Sequence, residues 1–197
     1  MMKYSIEDIL KIESEAILNI PMFNFEHVVD RIMIDCHKYN GKLVISGMGK
    51  CGQIGHNIAT TFCSTGTPAV FLHPSEAQHG DLGVLQHTDL LLLLSNSGKT
   101  KELIDLYNLK NKLFPNIKVI IITGNIQSPL AQVANIVLLT GNPKEVCPLG
   151  LTPTTSTTVM SVIGDILITQ VMQQIGFTKE DYAKRHHGGY LGKKSKK

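Results

Sequence analysis

The chain has few cysteines, no acidic or basic block within its body, and no long hydrophobic run. Its four cysteines, Cys36, Cys51, Cys63 and Cys147, show no C-x-x-C spacing, which argues against a disulfide framework or a cysteine-based metal site and predicts reduced thiols. No stretch approaches the roughly 20 apolar residues of a membrane helix, and residues 1–11 lack the apolar segment of a signal peptide. We therefore expect a cytoplasmic protein with no membrane partner.

The formal net charge of +3 is concentrated in the C-terminal tail, residues 193–197, where four of five residues are lysines. A short terminal lysine run is normally solvated, so the charge balance does not favour a nucleic-acid partner. With 197 residues, 43% of them hydrophobic and 18% charged, the sequence has the size and composition of one globular domain. We expect N-terminal helices over 1–40, a core with a C-terminal active-site segment over 41–192, and a basic tail over 193–197.

Five consecutive leucines, Leu90–Leu94, are the stretch around which the predicted fold is arranged. The run is too short to span a membrane and too uniformly apolar for a half-exposed strand, so it predicts a strand covered on both faces. From Gly41 onward, strand and helix patterns alternate, which predicts a parallel sheet between two layers of helices. Strands are predicted at 42–46, 69–72, 90–94, 118–123 and 136–140, and helices at 51–64, 100–113, 128–134 and 155–175.

Two further amphipathic helices are predicted ahead of the sheet, over 5–19 and 24–40. Ser5 and Asp8 have the spacing of a capping box at the start of the first helix. The apolar stripes of the two helices could pack on the sheet or on another subunit. The expected fold class is α/β, a three-layer α/β/α sandwich with a five-stranded parallel sheet preceded by two helices.

A polar turn, Ser95–Thr100, follows the leucine strand and precedes a predicted helix. Backbone N–H groups at a helix start, with hydroxyl groups beside them, form a site for phosphate or another anion. An ordinary β–α turn capped by a hydroxyl side chain is the alternative.

The glycines of Gly47–Gly52 satisfy the dinucleotide pattern G-x-G-x-x-G after the first predicted strand. A dinucleotide site also requires an acidic residue at the end of the second strand, where this chain has Leu72-His73-Pro74. Lys50 lies at a helix start, an unfavourable place for a cation. This conflict favours a functional lysine, acting on a mobile phosphate or a reacting oxygen, over a surface lysine or a dinucleotide site.

Three other groups of residues could carry chemistry. The stretch His73–Asp81 holds two histidines and two carboxylates, which could bind a metal or hydrogen-bond a polyhydroxylated ligand, although the spacing fits no common metal motif. Glu145 precedes a hydroxyl-rich helix start at 154–158, and a partly apolar setting would raise its pKa towards that of a general base, whereas an exposed loop glutamate is the alternative. His186 and His187, taken alone, are typical of surface residues. Together these groups suit proton transfer on a phosphorylated polyol.

Six segments, taken in order, resemble the sugar isomerase (SIS) domain of D-arabinose 5-phosphate isomerases: 47–55, 64–68, 79–83, 95–98, 145–154 and 176–189. The resemblance implies the SIS fold with flavodoxin-like topology. It implies interconversion of D-ribulose 5-phosphate and D-arabinose 5-phosphate through an enediol, feeding Kdo synthesis for lipopolysaccharide or capsule. It also implies that the protein needs no cofactor and no metal. The expected assembly is a homo-oligomer, a tetramer with active sites shared between subunits, built from the single-domain form without CBS modules.

Position by position, the resemblance assigns catalytic roles to Lys50, Glu102, Glu145 and His186. Glu145 would be the base, Lys50 would polarise the sugar oxygens, Glu102 would orient a hydroxyl, and His186 would open the sugar ring or shuttle a proton. Substrate or phosphate contacts are expected from Ser46, Gly47, Glu76, His79, Ser95, Asn96, Ser97 and Thr100. Two departures from the family pattern are Lys99, where glutamate is usual, and His187, where proline is usual.

Two other functions remain open at this point. One is isomerisation of another sugar phosphate, such as 3-hexulose 6-phosphate or sedoheptulose 7-phosphate. The other is a non-catalytic SIS module that senses sugar phosphates. No helix-turn-helix pattern is evident ahead of Gly41, and a sensor would not need Lys50, Glu145 and His186 together.

Overall fold

The computed structural model describes residues 4–186 and 189–194. Its sheet has five parallel strands in the order β2-β1-β3-β4-β5. This flavodoxin-like order places the topological switch point between β1 and β3. The strands are β1 Leu43–Gly47, β2 Ala69–Phe71, β3 Leu90–Leu94, β4 Lys118–Thr123 and β5 Ile136–Leu139. The predicted fold class, topology and strand positions are confirmed, with bounds that differ by at most one residue.

Helices cover both faces of the sheet, as predicted. They are α1 Ile6–Leu18, α2 Phe25–Ile32, α3 Lys50–Ser64, α4 Pro74–Ala77, α5 Lys101–Leu113, α6 Pro129–Val133, α7 Thr155–Gln174, α8 Lys179–Arg185 and α9 Gly189–Lys194. The four-residue α4 and a 3₁₀ turn at Asp81–Val84 are not among the predicted helices. An element of four residues spans about one helical turn, which is too short for a hydrophobic period to be recognised in the sequence.

The central strand β3 supplies side chains to two separate cores. Leu90, Leu92 and Leu94 pack with α2, α3 and α7, whereas Leu91 and Leu93 pack with α5 and α6 on the opposite face. All five leucines are fully buried. Alternation of side chains along a strand therefore produces the three-layer arrangement that the uniform leucine run predicts.

The two N-terminal helices differ in burial. At the start of α1, the Ser5 hydroxyl accepts a hydrogen bond from the Asp8 N–H and the Asp8 carboxylate accepts one from the Ser5 N–H, which confirms the capping box. The helix packs on α7 with its apolar side chains Ile6 and Leu10 exposed. By contrast, α2 buries its apolar face in the core, and the chain continues as a π-helical turn over Met33–Lys38. The predicted 24–40 helix is right in extent, but not α-helical throughout.

The 20-residue helix α7 is long and apolar enough to cross a membrane by length and composition, so the expectation that no such stretch exists is wrong in that limited sense. Half of its most apolar window is buried inside the fold, where the helix packs against α1, α2 and α3. The core helix of a globular protein passes the same test, so this single helix is weak evidence for a membrane span.

The register of β1 and β3 places the turns that follow these two strands side by side. Gly47, the last residue of β1, lies opposite Leu94, the last residue of β3. The turn after β1 and the loop after β3 therefore start next to each other at the switch point, where open α/β sheets bind their ligands.

Candidate functional site

The loop after β3 is held together by its own hydroxyl groups. Ser95 is almost fully buried, and its Oγ lies 2.8 Å from Thr100 Oγ1 and accepts a hydrogen bond from the Gly98 N–H. Gly98 has a φ of +62°, and a Cβ built there would lie 1.9 Å from Ser128 Oγ, so glycine alone fits. The Ser97 side chain remains exposed at the rim. The loop is thus fixed from below before any anion binds.

Asn96 connects this loop to the ends of the next two strands. Its backbone carbonyl accepts hydrogen bonds from Gly124 N–H at 2.9 Å and from Thr123 Oγ1 at 3.2 Å. Its side-chain Oδ1 accepts a hydrogen bond from Thr140 Oγ1 at 3.4 Å. These bonds give Asn96 a structural role, and its contact with substrate stays a prediction.

The glycines of the Gly47–Gly52 turn are explained by the geometry of the turn itself: Gly49 has a φ of +59°, and the other two are closely packed. A Cβ on Gly47 would lie 2.8 Å from the Cys51 carbonyl oxygen, and a Cβ on Gly52 would lie 2.6 Å from the Gly47 carbonyl oxygen. The G-x-G-x-x-G pattern therefore needs no bound dinucleotide. Lys50 is exposed as the first residue of α3, which leaves its ammonium group at the rim of the sheet.

Ser46 does not reach the rim. Its side chain is fully buried, and its hydroxyl donates a 2.6 Å hydrogen bond to the Leu72 carbonyl. This hydroxyl is therefore engaged between β1 and the end of β2, beneath the site. A direct phosphate contact from Ser46 stays a prediction.

Glu145 lies against the N-terminus of α7. Its Oε2 accepts hydrogen bonds from the Thr154 N–H at 2.7 Å, the Thr154 hydroxyl at 2.9 Å and the Ser156 N–H at 3.3 Å. Its Oε1 takes part in none of these three bonds. The carboxylate therefore caps the helix through one oxygen and leaves the other for different partners.

Burial raises the pKa of the Glu145 carboxyl, but hydrogen bonds from Ser156 and Thr154 outweigh that effect and lower the pKa below its usual value. This result corrects the expectation of a raised pKa. Donors aimed at a carboxylate stabilise its charged form. Glu145 is accordingly ionised across the physiological pH range.

The remaining expected site residues lie on separate elements. Glu102 is half-buried in the first turn of α5, and Glu76 and His79 are exposed in the segment after β2. His186 ends α8, where its Nδ1 lies 3.0 Å from the Tyr182 carbonyl oxygen and its ring stacks on the Tyr182 ring with centroids 3.7 Å apart. His187 lies outside the described residues.

The structure brings some of these groups together and leaves others apart. The Gly47 turn and the Ser95 loop are adjacent, whereas within residues 4–186 and 189–194 no hydrogen bond or ion pair joins Lys50, Glu102, Glu145 and His186 to one another. In the same described part of the chain, no group of three or more His, Cys, Asp or Glu side chains is arranged to hold a metal ion. All the catalytic assignments stay predictions.

Cys147 is a feature that the sequence did not reveal. Donors from the Thr152 hydroxyl and N–H, then from the N–H groups of Leu151 and Leu149, lower the pKa of its thiol to about 6. Burial instead raises the pKa of the Cys36 thiol to about 12. The turn that surrounds Cys147 follows Glu145 directly, and its folded-back geometry cannot be seen from residue types alone.

The family described as SIS domain matches residues 37–170. The curated relative arabinose 5-phosphate isomerase KdsD of Yersinia pestis is 43% identical over 191 residues, which cover 95% of this chain and 56% of the relative. The KdsD protein of Pseudomonas aeruginosa is 48% identical over 154 residues, which cover 78% of this chain and 47% of the relative. The chain thus spans about half the length of the curated relatives it matches.

Two solved structures are similar over nearly their whole length. One is a Bacteroides fragilis protein, assigned as a phosphosugar isomerase involved in capsule formation. It is 61% identical in sequence with a TM-score of 0.92, and the match covers 94% of this chain and 97% of the other. A protein of E. coli CFT073 in complex with arabinose 5-phosphate is 33% identical with a TM-score of 0.84, covering 92% and 95%. On the family match, these identities and the shared fold, the chain belongs to the SIS domain family.

Proposed function

We propose that this protein is a sugar-phosphate isomerase that interconverts D-ribulose 5-phosphate and D-arabinose 5-phosphate. The observation that carries the proposal is the similarity over 95% of the chain to a relative named for this isomerisation. The similar E. coli CFT073 structure, which holds arabinose 5-phosphate, supports the same substrate. The loops at the switch point supply the hydroxyl and N–H groups that such a substrate requires.

The phosphate would bind over the Ser95–Thr100 loop, at the N-terminus of α5. Free N–H groups at a helix start attract anions, and the loop is already fixed by the Ser95–Thr100 contact and by Gly98. Lys99, which is exposed within this loop, adds a positive charge. A preorganised anion site of this kind reduces the entropy lost on binding.

The reaction proposed is proton transfer through an enediol. A base removes a proton from C1 of the ketose and returns it to C2, while a hydroxyl proton moves from O1 to O2. Glu145 is the proposed base, acting through Oε1, because its three hydrogen bonds from the α7 N-terminus end on Oε2. Lys50 would stabilise the charge that develops on the sugar oxygens, and Glu102 would orient a hydroxyl.

His186 is the proposed group for ring opening or for moving the hydroxyl proton. The helix α8, which ends just before His186, has no buried residue within the described structure. This exposure supports an oligomer in which His186 completes the site of another subunit. We propose a homo-oligomer, a tetramer in the simplest case, located in the cytoplasm and supplying Kdo for lipopolysaccharide or capsule.

The test is direct incubation of the purified protein with ribulose 5-phosphate in D₂O, followed by NMR. The expected result is arabinose 5-phosphate carrying solvent deuterium at C2, because the proton removed from C1 is held by the base while the enediol exists and can exchange there with the solvent before it is returned to C2. 3-Hexulose 6-phosphate and sedoheptulose 7-phosphate are assayed in parallel. Faster turnover of either would reassign the substrate, and binding of all three without turnover would favour a sensor.

A further inference from the structure

Glu13 joins the outermost helix to the start of α7. Its Oε1 accepts a 2.9 Å hydrogen bond from the hydroxyl of Thr155, the first residue of α7, and Thr155 is fully buried. Its Oε2 is inaccessible to solvent and has no hydrogen-bond partner among the described residues. Burying a carboxylate oxygen without a partner costs free energy. The hydrogen bond made by the other oxygen therefore has to offset that cost.

The Thr155 hydroxyl makes a second contact that leads back to Glu145. The N–H of Val146, the residue after Glu145, is shared between two threonine hydroxyls: it donates to Thr155 Oγ1 at 3.3 Å and to Thr154 Oγ1 at 3.1 Å. A hydroxyl has one proton, so donation to Glu13 turns the oxygen lone pairs towards Val146. Without an acceptor at Glu13, the hydroxyl is free to turn elsewhere, as threonine hydroxyls at helix starts commonly do.

Two carboxylates therefore meet the N-terminus of α7, and both come from outside that helix. The first turn of α7 contains no acidic residue in the sequence, and within the described structure the N-cap Thr154 makes no side-chain capping bond. The positive end of a 20-residue helix favours negative charge. Glu145 supplies one charge directly, and Glu13 supplies the other through the Thr155 hydroxyl.

We propose that Glu13 is a positioning residue. It holds the first turn of α7, and with it the backbone at Val146, in the position in which Thr154 and Ser156 donate hydrogen bonds to Glu145. This inference rests on the proposed function insofar as Glu145 is a catalytic group. When Glu13 is lost, the Thr154 and Ser156 donors are expected to move away from Glu145 Oε2. The lowered pKa of Glu145, which depends on those donors, then rises.

The first test measures the Glu145 pKa by ¹³C NMR of side-chain-labelled glutamates, with Glu145→Gln used to assign the resonance. Glu13→Ala is expected to raise that pKa by about one unit, as expected when one hydrogen bond to a charged carboxylate is lost. Glu13→Gln keeps an acceptor for Thr155 and is expected to stay within a few tenths of the wild-type value. Glu15→Gln, on the same helix but in an exposed ion pair with Lys11, is the matched control.

The second test measures kcat and KM for ribulose 5-phosphate. Glu13→Ala is expected to lower kcat by about tenfold. KM should stay within about twofold of the wild-type value, because the substitution does not touch the Ser95–Thr100 loop, the proposed phosphate site. Thr155→Val should match Glu13→Ala, and the double variant should be no worse than either alone. If Glu13→Ala does not fold, Thr155→Val and Glu13→Gln carry the test.

The outcomes separate this inference from the proposed function. An unchanged Glu145 pKa in Glu13→Ala and Thr155→Val overturns the positioning role, whatever the activity. A raised pKa in these variants, when the wild-type protein does not turn over ribulose 5-phosphate, supports the positioning role and removes the proposed function. A lower kcat that follows a lower melting temperature alone, with no change in pKa, indicates a merely structural contact and overturns the inference.

Discussion

The backbone N–H of Thr154 donates to Glu145 Oε2 over 2.7 Å, across nine positions of the chain. The carboxylate therefore occupies the place where an N-cap side chain would sit on α7. A single carboxylate therefore caps a core helix and is also the proposed catalytic base. Changes at Glu145 should consequently affect activity and stability in ways that can be separated.

Replacing Glu145 with glutamine should remove the proposed base but keep an oxygen acceptor for Thr154. We expect turnover of ribulose 5-phosphate to fall by roughly 10²-fold or more, with the oligomer intact, as is typical for loss of a general base. Steady-state kinetics and size-exclusion chromatography measure the two effects. Glu26→Gln, an exposed glutamate in α2, is the control, and near-normal turnover of Glu145→Gln would remove this residue from the mechanism.

The capping role of Glu145 should appear as pH-dependent stability. Because its folded-state pKa is lower than the usual value of 4.5, the stabilisation is complete above that value and is lost as pH falls through the folded pKa. The free energy of unfolding of Glu145→Gln should be about 1 kcal/mol below wild type at pH 7. Urea unfolding between pH 3 and 7 should show this gap closing on the acid side; a gap that widens there would contradict the assignment.

Asp89 should be one of the most sensitive positions for stability. It is 2% exposed and accepts hydrogen bonds from the Lys42 N–H at 2.9 Å, the Lys42 ammonium at 2.7 Å and the Gln86 N–H at 2.8 Å. Asp89→Ala leaves these donors unpaired and should cost about 2–4 kcal/mol in urea unfolding. Asp105→Ala breaks an exposed pair with Lys101 and should change stability by less than about 1 kcal/mol.

Cys147 should be the first thiol to react in the native protein. With its pKa lowered to about 6, it is mainly thiolate at neutral pH, whereas Cys36, with a pKa of about 12, stays protonated. Iodoacetamide labelling followed by mass spectrometry should give a rate at Cys147 that falls by half near pH 6. Cys147→Ser should abolish the fast phase, and a rate that still rises above pH 8 would disprove the lowered pKa.

Gly98→Ala should distort the Ser95–Thr100 loop, the proposed phosphate site, without unfolding the sheet. The new Cβ would lie 1.9 Å from Ser128 Oγ, at a φ of +62° that alanine rarely adopts. We expect KM for ribulose 5-phosphate to rise about tenfold or more, because the N–H groups of a preorganised site would be displaced. Gly98→Ala combined with Ser128→Ala should recover part of the loss; no recovery would assign the whole effect to backbone strain.

Much of the fold could be predicted because its signals are local. The Leu90–Leu94 run and the polar turn after it lie within a few residues of each other, and they identify the central strand and the rim of the site. The capping box at Ser5 and Asp8 is likewise read from residues three apart. In each case, the interacting residues are neighbours in sequence.

The details that the sequence does not reveal depend on partners that are not adjacent in the chain. The Ser46 hydroxyl, predicted to contact phosphate, donates a hydrogen bond to the Leu72 carbonyl, 26 positions away. The Glu145 pKa was expected to rise with burial, yet donors at Thr154 and Ser156 lower it. Glu13 lies 142 positions from Thr155, so its contact could not be inferred from spacing.

The five leucines of β3 have a further consequence for how the strand finds its place. A slip of one position along β1 would still present leucine to both cores, so hydrophobicity alone cannot distinguish the correct alignment from its neighbours. Polar groups at the two ends provide that discrimination: Asp89 accepts a hydrogen bond from the Lys42 N–H, next to β1, and the Asn96 carbonyl accepts one from the Gly124 N–H, just after β4. The same two contacts set the position of the Ser95–Thr100 loop beside Gly47, so correct strand alignment also sets the geometry of the proposed phosphate site.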